Sequence, residues 1–428
     1  MDMGQGMGMP LIWVLTAISA FWVVFGLRRP EGVYQFPFLA GATFLGFIAP
    51  QLPALVDDTF LPAGAVTRTT LFAILCVSAC GLGWQTTLPR TALATWHFDE
   101  RKLLIASAIL SVIGAFFYFK VSHLPAEIKY SIYTGLPVAY LFFAKLLNYG
   151  FAIALLCGAR RMSPAALVII AFDMMFYAER ILLLGRRSEA AEFVFLVGLA
   201  WWFQKRRAAP RLLTAALVLF GAVAMSSAGD YRAITTEREA FSWSDLLEID
   251  VVANFAEVIA HGGPEVRNAV HRLDTVQDTK SFDFGLFHWN TLVFNYVPAQ
   301  LVGTAVKESL TFSFEGQIAR DYAPPIGSTE TGLSDAFTSF AYLGALKFFA
   351  IGFCMRRMYD AAESGSTLCQ IVYPLMLAPA MLAITHHTQW PLSTLVHLAL
   401  FILPALLMAR IRSPASRSFT SPVTGLSS

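Results

Sequence analysis

The chain has 428 residues, of which 56% are hydrophobic and only 14% charged, with a mean hydropathy of +0.58. Water cannot solvate a fold with that much apolar surface, so lipid must be the solvent for most of it. The net charge of +2 gives no electrostatic case for a nucleic-acid partner.

The opening Met1–Pro10 stretch lacks a basic segment and a cleavage site, so the first apolar run is expected to be a retained helix rather than a signal peptide. Apolar runs of bilayer-crossing length fall at about 10–27, 33–56, 66–89, 103–122, 136–157, 164–184, 189–204, 211–228, 336–355, 367–386 and 391–409, about eleven spans in all. The weakest is 189–204, which opens on Ser188 and Glu189. The expected fold is an all-α polytopic integral membrane protein with one large extracytoplasmic loop that carries amphipathic or interfacial helices. Its parts would be an N-terminal bundle of about eight spans (1–228), the loop (229–335), about three C-terminal spans (336–412) and a disordered tail (413–428).

Basic residues set the orientation. Arg28, Arg29, Arg90, Arg101, Lys102, Arg160, Arg161, Lys205, Arg206, Arg207, Arg211, Arg356, Arg357, Arg410, Arg412 and Arg417 fall on one side, about sixteen in all, against about five in the short loops opposite (Arg68, Lys120, Lys129, Arg186, Arg187). The rich side is read as cytoplasmic. The N-terminus and the long loop are then outside, and the C-terminus inside.

Cys76 and Cys80 share a helix face at i, i+4 and, like Cys157, Cys354 and Cys369, read as small core residues. Charge inside the spans is costly and faces protein or an aqueous cavity. Lys145, Asp173, Glu179, Arg180 and Lys347 are the cases. Asp173, Tyr177 and Arg180 lie at i, i+4 and i+7, hence on one face. They form either an internal ion pair that fixes packing or an outer anion site with Asp173 orienting Arg180.

Within the loop, Asp230 and Arg232 emerge directly from the eighth span. Ser242 to Asp245 has capping-box spacing and opens a helix expected from Leu246 to about Ala260, ended by His261, Gly262 and Gly263. A second helix, Pro264 to about Val276, places Arg267 and His271 at i, i+4. The aromatic run Phe282–Trp289 must pack on lipid or protein, and Asn290–Tyr296, stopped by Pro298, reads as a short interfacial or re-entrant helix. Pro324 to Thr331 is a rigid turn whose hydroxyls can cap the ninth span. His386 and His387 are adjacent and do not make the i, i+4 pair that zinc sites use; their expected role is interfacial or structural, with a catalytic or substrate role as the alternative. No Walker or dinucleotide glycine pattern is present, so a substrate handled outside must arrive already activated.

The stretch Phe282, Phe284, Gly285, Trp289 through Asn295, Tyr296, Val297 and Pro298, followed by Lys307, resembles the aromatic-Gly-Trp, Val-Pro and Lys stretch of the O-antigen polymerase (Wzy) type of oligosaccharide repeat-unit polymerases. The stretch Pro324, Pro325, Gly327, Ser328 and Thr329 through Asp335 to Leu343 and Gly344 is similar to that family's Pro-x-Gly-Ser, acidic and Gly stretch. The resemblance covers about a quarter of the chain. It implies metal-independent and cofactor-free glycosyl transfer at the outer face of a bacterial inner membrane. A glycan on undecaprenyl diphosphate would be moved onto another lipid-linked repeat unit, with a chain-length regulator protein as a further partner. Guanidinium groups would hold the diphosphate leaving group, with Arg180, Arg232 and Arg267 or Arg272 as candidates. The acceptor hydroxyl needs a base, for which Glu257, His271 and Asp230 are the options. Trp243, Phe287, Trp289 and Tyr296 could stack on sugars or shape the lipid entry, and Lys307 belongs to the matched stretch. An O-antigen ligase with the same donor, or a lipid-linked glycan transporter or flippase, are the competing readings.

Overall fold

The computed structural model describes residues 7–86, 96–125, 135–183, 186–224, 226–232, 234, 243–313, 324–325 and 328–411. Among them the chain is all-helical, with one isolated antiparallel bridge between Phe98 and Arg410. Seven helical segments are long and apolar enough to cross a membrane, the composition of a polytopic membrane protein. They are Gly8–Leu27, Ala65–Gln85, Glu100–Ser122, Leu136–Arg160, Gly332–Glu363, Thr367–Thr385 and Gln389–Ala409.

In chain order, α1 is Gly8–Leu27, α2 Phe36–Thr43, α3 Pro53–Val56, α4 Ala65–Gln85 and α5 Glu100–Ser122. The apolar run over 33–56 is not one straight helix: α2 passes into a π turn at Phe44–Ile48, a 3-10 turn at Ala49–Gln51 and then α3. Pro50 and Pro53, which lack a backbone donor, fall at these changes. Helices α6 (Leu136–Ala144) and α7 (Leu146–Arg160) follow, then α8 (Pro164–Ala178), which widens into a π turn at Glu179–Leu183, α9 (Arg187–Lys205) and α10 (Arg211–Ala224). Asp99 caps α5 by accepting from Arg101 and Lys102, and Ser163 caps α8 by accepting from Ala166.

Small residues bring the long helices together. A Cβ on Gly83 would meet the Phe349 carbonyl oxygen at 2.1 Å, and one on Gly352 would meet the Cys80 carbonyl at 2.3 Å. Backbone contact of this kind locks α4 to α18 (Ala345–Glu363). The pair α5 and α7 is joined likewise, through Gly114 against Leu147 and Gly150 against Ser111. Cys76, Cys80, Cys157 and Cys369 are buried and Cys354 is exposed.

The loop helices are α11 (Ala228–Arg232), α12 (Val251–His261), α13 (Pro264–Thr279), α14 (Leu286–Tyr296), α15 (Ala299–Val302) and α16 (Thr304–Ser309). Residues 246–260 do not form one helix. A 3-10 segment Trp243–Glu248 stops, and Asp250 starts α12 by accepting from Ala253. Ser242, the expected cap, lies outside the described residues. Helix α13 carries the loop's own core: Val266, Ala269, Val270, Leu273 and Val276 are fully buried. It packs on α4 and on α17 (Gly332–Phe340).

Two ion pairs clamp its other faces, Arg68 with Asp274 and Arg267 with Asp58. Asn268 donates to Ser328 Oγ at 2.9 Å and to the Thr329 carbonyl at 3.1 Å, which fastens the segment entering α17. The loop is thus docked on the bundle.

The ninth run, 336–355, is also broken. Helix α17 ends at Phe340, Ala341 adopts φ 49° and ψ −133°, a 3-10 turn covers Ala341–Gly344, and α18 resumes at Ala345. The chain needs glycine here, since a Cβ on Gly344 would stand 1.9 Å from the Ala336 carbonyl oxygen. Tyr342 then turns back onto Phe337 and Phe72. The consequence is a nine-residue helix enclosed by protein, whose start points at the loop. Helices α19 (Thr367–Thr385) and α20 (Gln389–Ala409) complete the chain. The tail beyond 411 lies outside the described residues.

Candidate functional site

Helices α13, α14, α17, α18 and the α19–α20 turn bring one cluster of ionisable groups together. Asp335 sits one turn into α17 and is nearly sealed. The turn after α19 wraps around it: the Thr388 backbone N–H donates to its Oδ2 at 2.7 Å and the Thr388 hydroxyl to its Oδ1 at 2.9 Å. His288 Nε2 lies 2.9 Å from the same hydroxyl. With Asp335 ionised, that hydroxyl spends its only proton on the carboxylate, and Nε2 carries the proton that the hydroxyl accepts. A directed chain results, from His288 through Thr388 to Asp335.

Lys347 projects from α18 into the same space. Its ammonium donates to Ser339 Oγ at 2.7 Å and to the Asp335 carbonyl at 3.3 Å, with the His288 ring nitrogens at 3.4 and 3.5 Å. Burial, then the Lys347 charge, holds His288 well below the usual imidazole range, at about 4. It is neutral at pH 7.

His387 Nδ1 stands 3.9 Å from Asp335 Oδ2, too far for a hydrogen bond, and this nitrogen has no partner among the described residues. Burial first, then the neighbouring His386 and Arg272, push its pKa down to about 4. Phe287 covers the ring at a centroid distance of 5.2 Å. Arg272 completes the group. Its Nε is 3.9 Å from Glu330 Oε2, a loose pair, and its side chain is 16% exposed. Asp283 is buried nearby, held by the backbone N–H groups of Gly285 and Phe287.

The site therefore joins a partly open guanidinium, a neutral imidazole with a free nitrogen, and a carboxylate and ammonium fixed behind them. It can bind an anion at Arg272, and His387 can accept a proton once its buried Nδ1 is reached. The chain matches no family model, no curated protein and no solved structure. The functional reading accordingly rests on this geometry.

Of the residues assigned to diphosphate binding or to the base in the sequence, Arg272 alone reaches this cluster, where it joins Lys347, His387 and Phe287, noted there for other reasons. Arg267 is paired with Asp58 on the far side of α13. His271 is half-buried beside it, its pKa lowered by burial and then by Arg267. Glu257 is exposed on α12. Asp230 is exposed and accepts from Asn254 at 2.6 Å, which ties α11 to α12. Arg232 ends α11, and its side chain lies outside the described residues.

Lys307 folds back onto α14, donating to the Phe294 carbonyl at 3.0 Å over the Phe294 ring. Trp289 Nε1 donates to the Leu310 carbonyl at 2.8 Å while its ring stays half exposed. The Tyr296 hydroxyl donates to the Ser393 carbonyl and anchors α14 to α20.

Arg180 belongs to a separate enclosed network. It is 4% exposed, pairs with Glu189 at 3.1 Å and donates to Asn148 at 3.0 Å, and Asn148 donates in turn to Glu192 at 3.0 Å. Asp173 is occupied by the Ser111 hydroxyl at 2.8 Å. The partner of Arg180 is thus supplied by α9, not by its own helix.

His288, Asp335, Lys347 and Thr388 were not selected as site residues from the sequence. The available signal was their setting: Lys347 inside an apolar run, Asp335 at the start of one, and a His-His-Thr turn beside Trp390.

Proposed function

We propose that the protein is a glycosyltransferase of the outer face of a bacterial inner membrane, polymerising undecaprenyl-diphosphate-linked oligosaccharide repeat units into a surface polysaccharide. In this reading the chain crosses the membrane about eleven times, with the N-terminus and the 229–335 loop periplasmic and the C-terminus cytoplasmic. The observation that carries it is the partly exposed Arg272, paired with Glu330 at 3.9 Å, in the same cluster as a neutral His387 whose buried Nδ1 has no hydrogen-bond partner among the described residues.

The chemistry needs both. An acceptor sugar hydroxyl attacks the anomeric carbon of the donor, and the bond from that carbon to the diphosphate oxygen breaks with its electron pair on oxygen. Arg272 neutralises the departing diphosphate, replacing its loose contact with Glu330 by a charge-assisted fork. His387 takes the proton of the attacking hydroxyl, for which the neutral imidazole is the competent form. Asp335, held by Thr388, stabilises the imidazolium that forms. Lys347 and His288 hold Asp335 and Thr388 in place.

The test is reconstitution of the purified chain in vesicles with a polyprenyl-diphosphate-linked repeat unit of its host. Products longer than one unit are expected without added metal or nucleotide. Unchanged substrate, under conditions where host membranes elongate it, would refute the proposal.

A further inference from the structure

A cavity lies toward the opposite end of α4 and α18 from the polar cluster. It has a volume of about 250 Å³ and opens between the ends of α1 and α4, the start of α2 and the second half of α18. Its walls are Trp22, Phe25, Phe38 and Trp84, and its charged groups are Arg29 and Arg356. Close backbone approach shapes its floor: a Cβ on Gly32 would meet the Gly26 carbonyl oxygen at 2.1 Å.

The two arginines are held in different ways. Arg356 donates from Nε to Asp360 at 2.8 Å and sits over the Trp84 indole, 5.3 Å from the ring centroid. Arg356 is also a lining residue of the cavity. Arg29 is exposed beside the Phe25 ring, at 5.9 Å, and has no ion pair among the described residues. A concave site with aromatic walls and two guanidinium groups, one of them without a counter-charge, suits an amphiphile with an anionic head.

Size and surroundings narrow the class. The volume is below the roughly 300–1,000 Å³ of sites that enclose a whole small molecule, so only a head and its immediate attachment fit. Beside the mouth, Phe21, Val24 and Phe25 of α1 are 54%, 52% and 39% exposed, an apolar strip on which a hydrocarbon chain can lie. The site also lies at the arginine-rich end, where α1 finishes in Arg28 and Arg29 and α18 carries Arg356 and Arg357.

We propose that this cavity binds the headgroup of an anionic glycerophospholipid, with Arg29 and Arg356 holding the phosphate and the acyl chain running along the exposed face of α1. The site does not depend on the catalytic reading. It would tie the ends of α1, α4 and α18 together in the leaflet opposite the polar cluster.

The test uses the full chain in detergent, titrated with phosphatidylglycerol and separately with phosphatidylcholine, with bound lipid counted by native mass spectrometry. Phosphatidylglycerol should bind preferentially. Arg29→Gln and Arg356→Gln should each weaken it by about tenfold, the scale of losing a charge-assisted phosphate contact. Arg28→Gln, which changes an exposed arginine outside the cavity, should leave it within about twofold.

If Arg356→Gln fails to fold through loss of its contact with Asp360, Arg29→Gln still decides the question, because no ion pair is broken there. Equal binding of the two lipids would overturn the proposal. So would equal weakening by Arg28→Gln and Arg29→Gln, since that is the signature of a diffuse field. Displacement of the lipid by millimolar inorganic phosphate would also overturn it, by assigning the site to a free anion.

Discussion

Replacing Arg272 by alanine separates chemistry from architecture in this protein. The guanidinium pairs with Glu330 at 3.9 Å, with side-chain exposures of 16% and 30%. A pair that loose and partly wet contributes about 1 kcal/mol or less to stability. The apolar side of α13 and its clamps through Asp274 and Arg267 remain intact in the variant. Against a departing diphosphate, loss of a preorganised donor costs about 10²–10³ in rate, or roughly 3–4 kcal/mol of transition-state stabilisation.

Elongation by purified Arg272→Ala should therefore fall by about 10²-fold or more while its unfolding temperature stays within a few degrees of the parent. Arg272→Lys should recover only part of the loss, because a point charge replaces the planar fork. The assay is initial-rate elongation of a lipid-linked repeat unit, with thermal unfolding in detergent run in parallel. Rates within about threefold of the parent would refute the role assigned to Arg272. A collapse in stability that accounts for the lost rate would refute it as well.

Other outcomes follow from the same geometry. His387→Gln should abolish most elongation without changing donor binding. With the His387 pKa at about 4, protonation of that imidazole should lower the parent's rate only below about pH 5, which a pH profile of initial rates checks. The same depression, shared by His288, gives stability that is fully present above pH 6.5 and lost as pH falls through 4, measurable as a falling unfolding temperature. Arg180→Ala should act on stability, by about 3–5 kcal/mol, because it strands Glu189 in an enclosed site; a stable but inactive variant would move Arg180 into the machinery. Gly352→Val should prevent α4 and α18 from closing, since its Cβ would meet the Cys80 carbonyl oxygen at 2.3 Å, and is expected to give unfolded protein.

The helices were legible because bilayer-length apolar runs are dictated by the solvent they occupy, whatever they pack against. The start of α13 and the end of α14 were legible for local reasons, since Pro264 suits the first turn of a helix and Pro298 stops the one before it, while α14 begins at Leu286, a turn before the expected Asn290. Breaks inside apolar runs were not legible. The turn at Ala341 exists because Gly344 must fit under the Ala336 carbonyl and Tyr342 must reach Phe72, contacts formed only once α4 and α17 are packed.

The candidate site was hidden for a related reason. His288, the Asp335 and Lys347 pair, and His387 come from three separate stretches of the chain, and one sequence does not say which of its charges meet. Arg272 was found because arginine chemistry suits a diphosphate. Arg267, one turn before it, was equally attractive on those grounds, but it faces Asp58.

The most direct measurement is the surface glycan of a host strain that lacks this gene. Polymerisation by this protein predicts that single repeat units still reach the surface while long chains disappear, and that the intact gene restores them. Lipid-linked repeat units retained on the cytoplasmic side, or full-length polymer accumulating uncapped on its carrier, would contradict it.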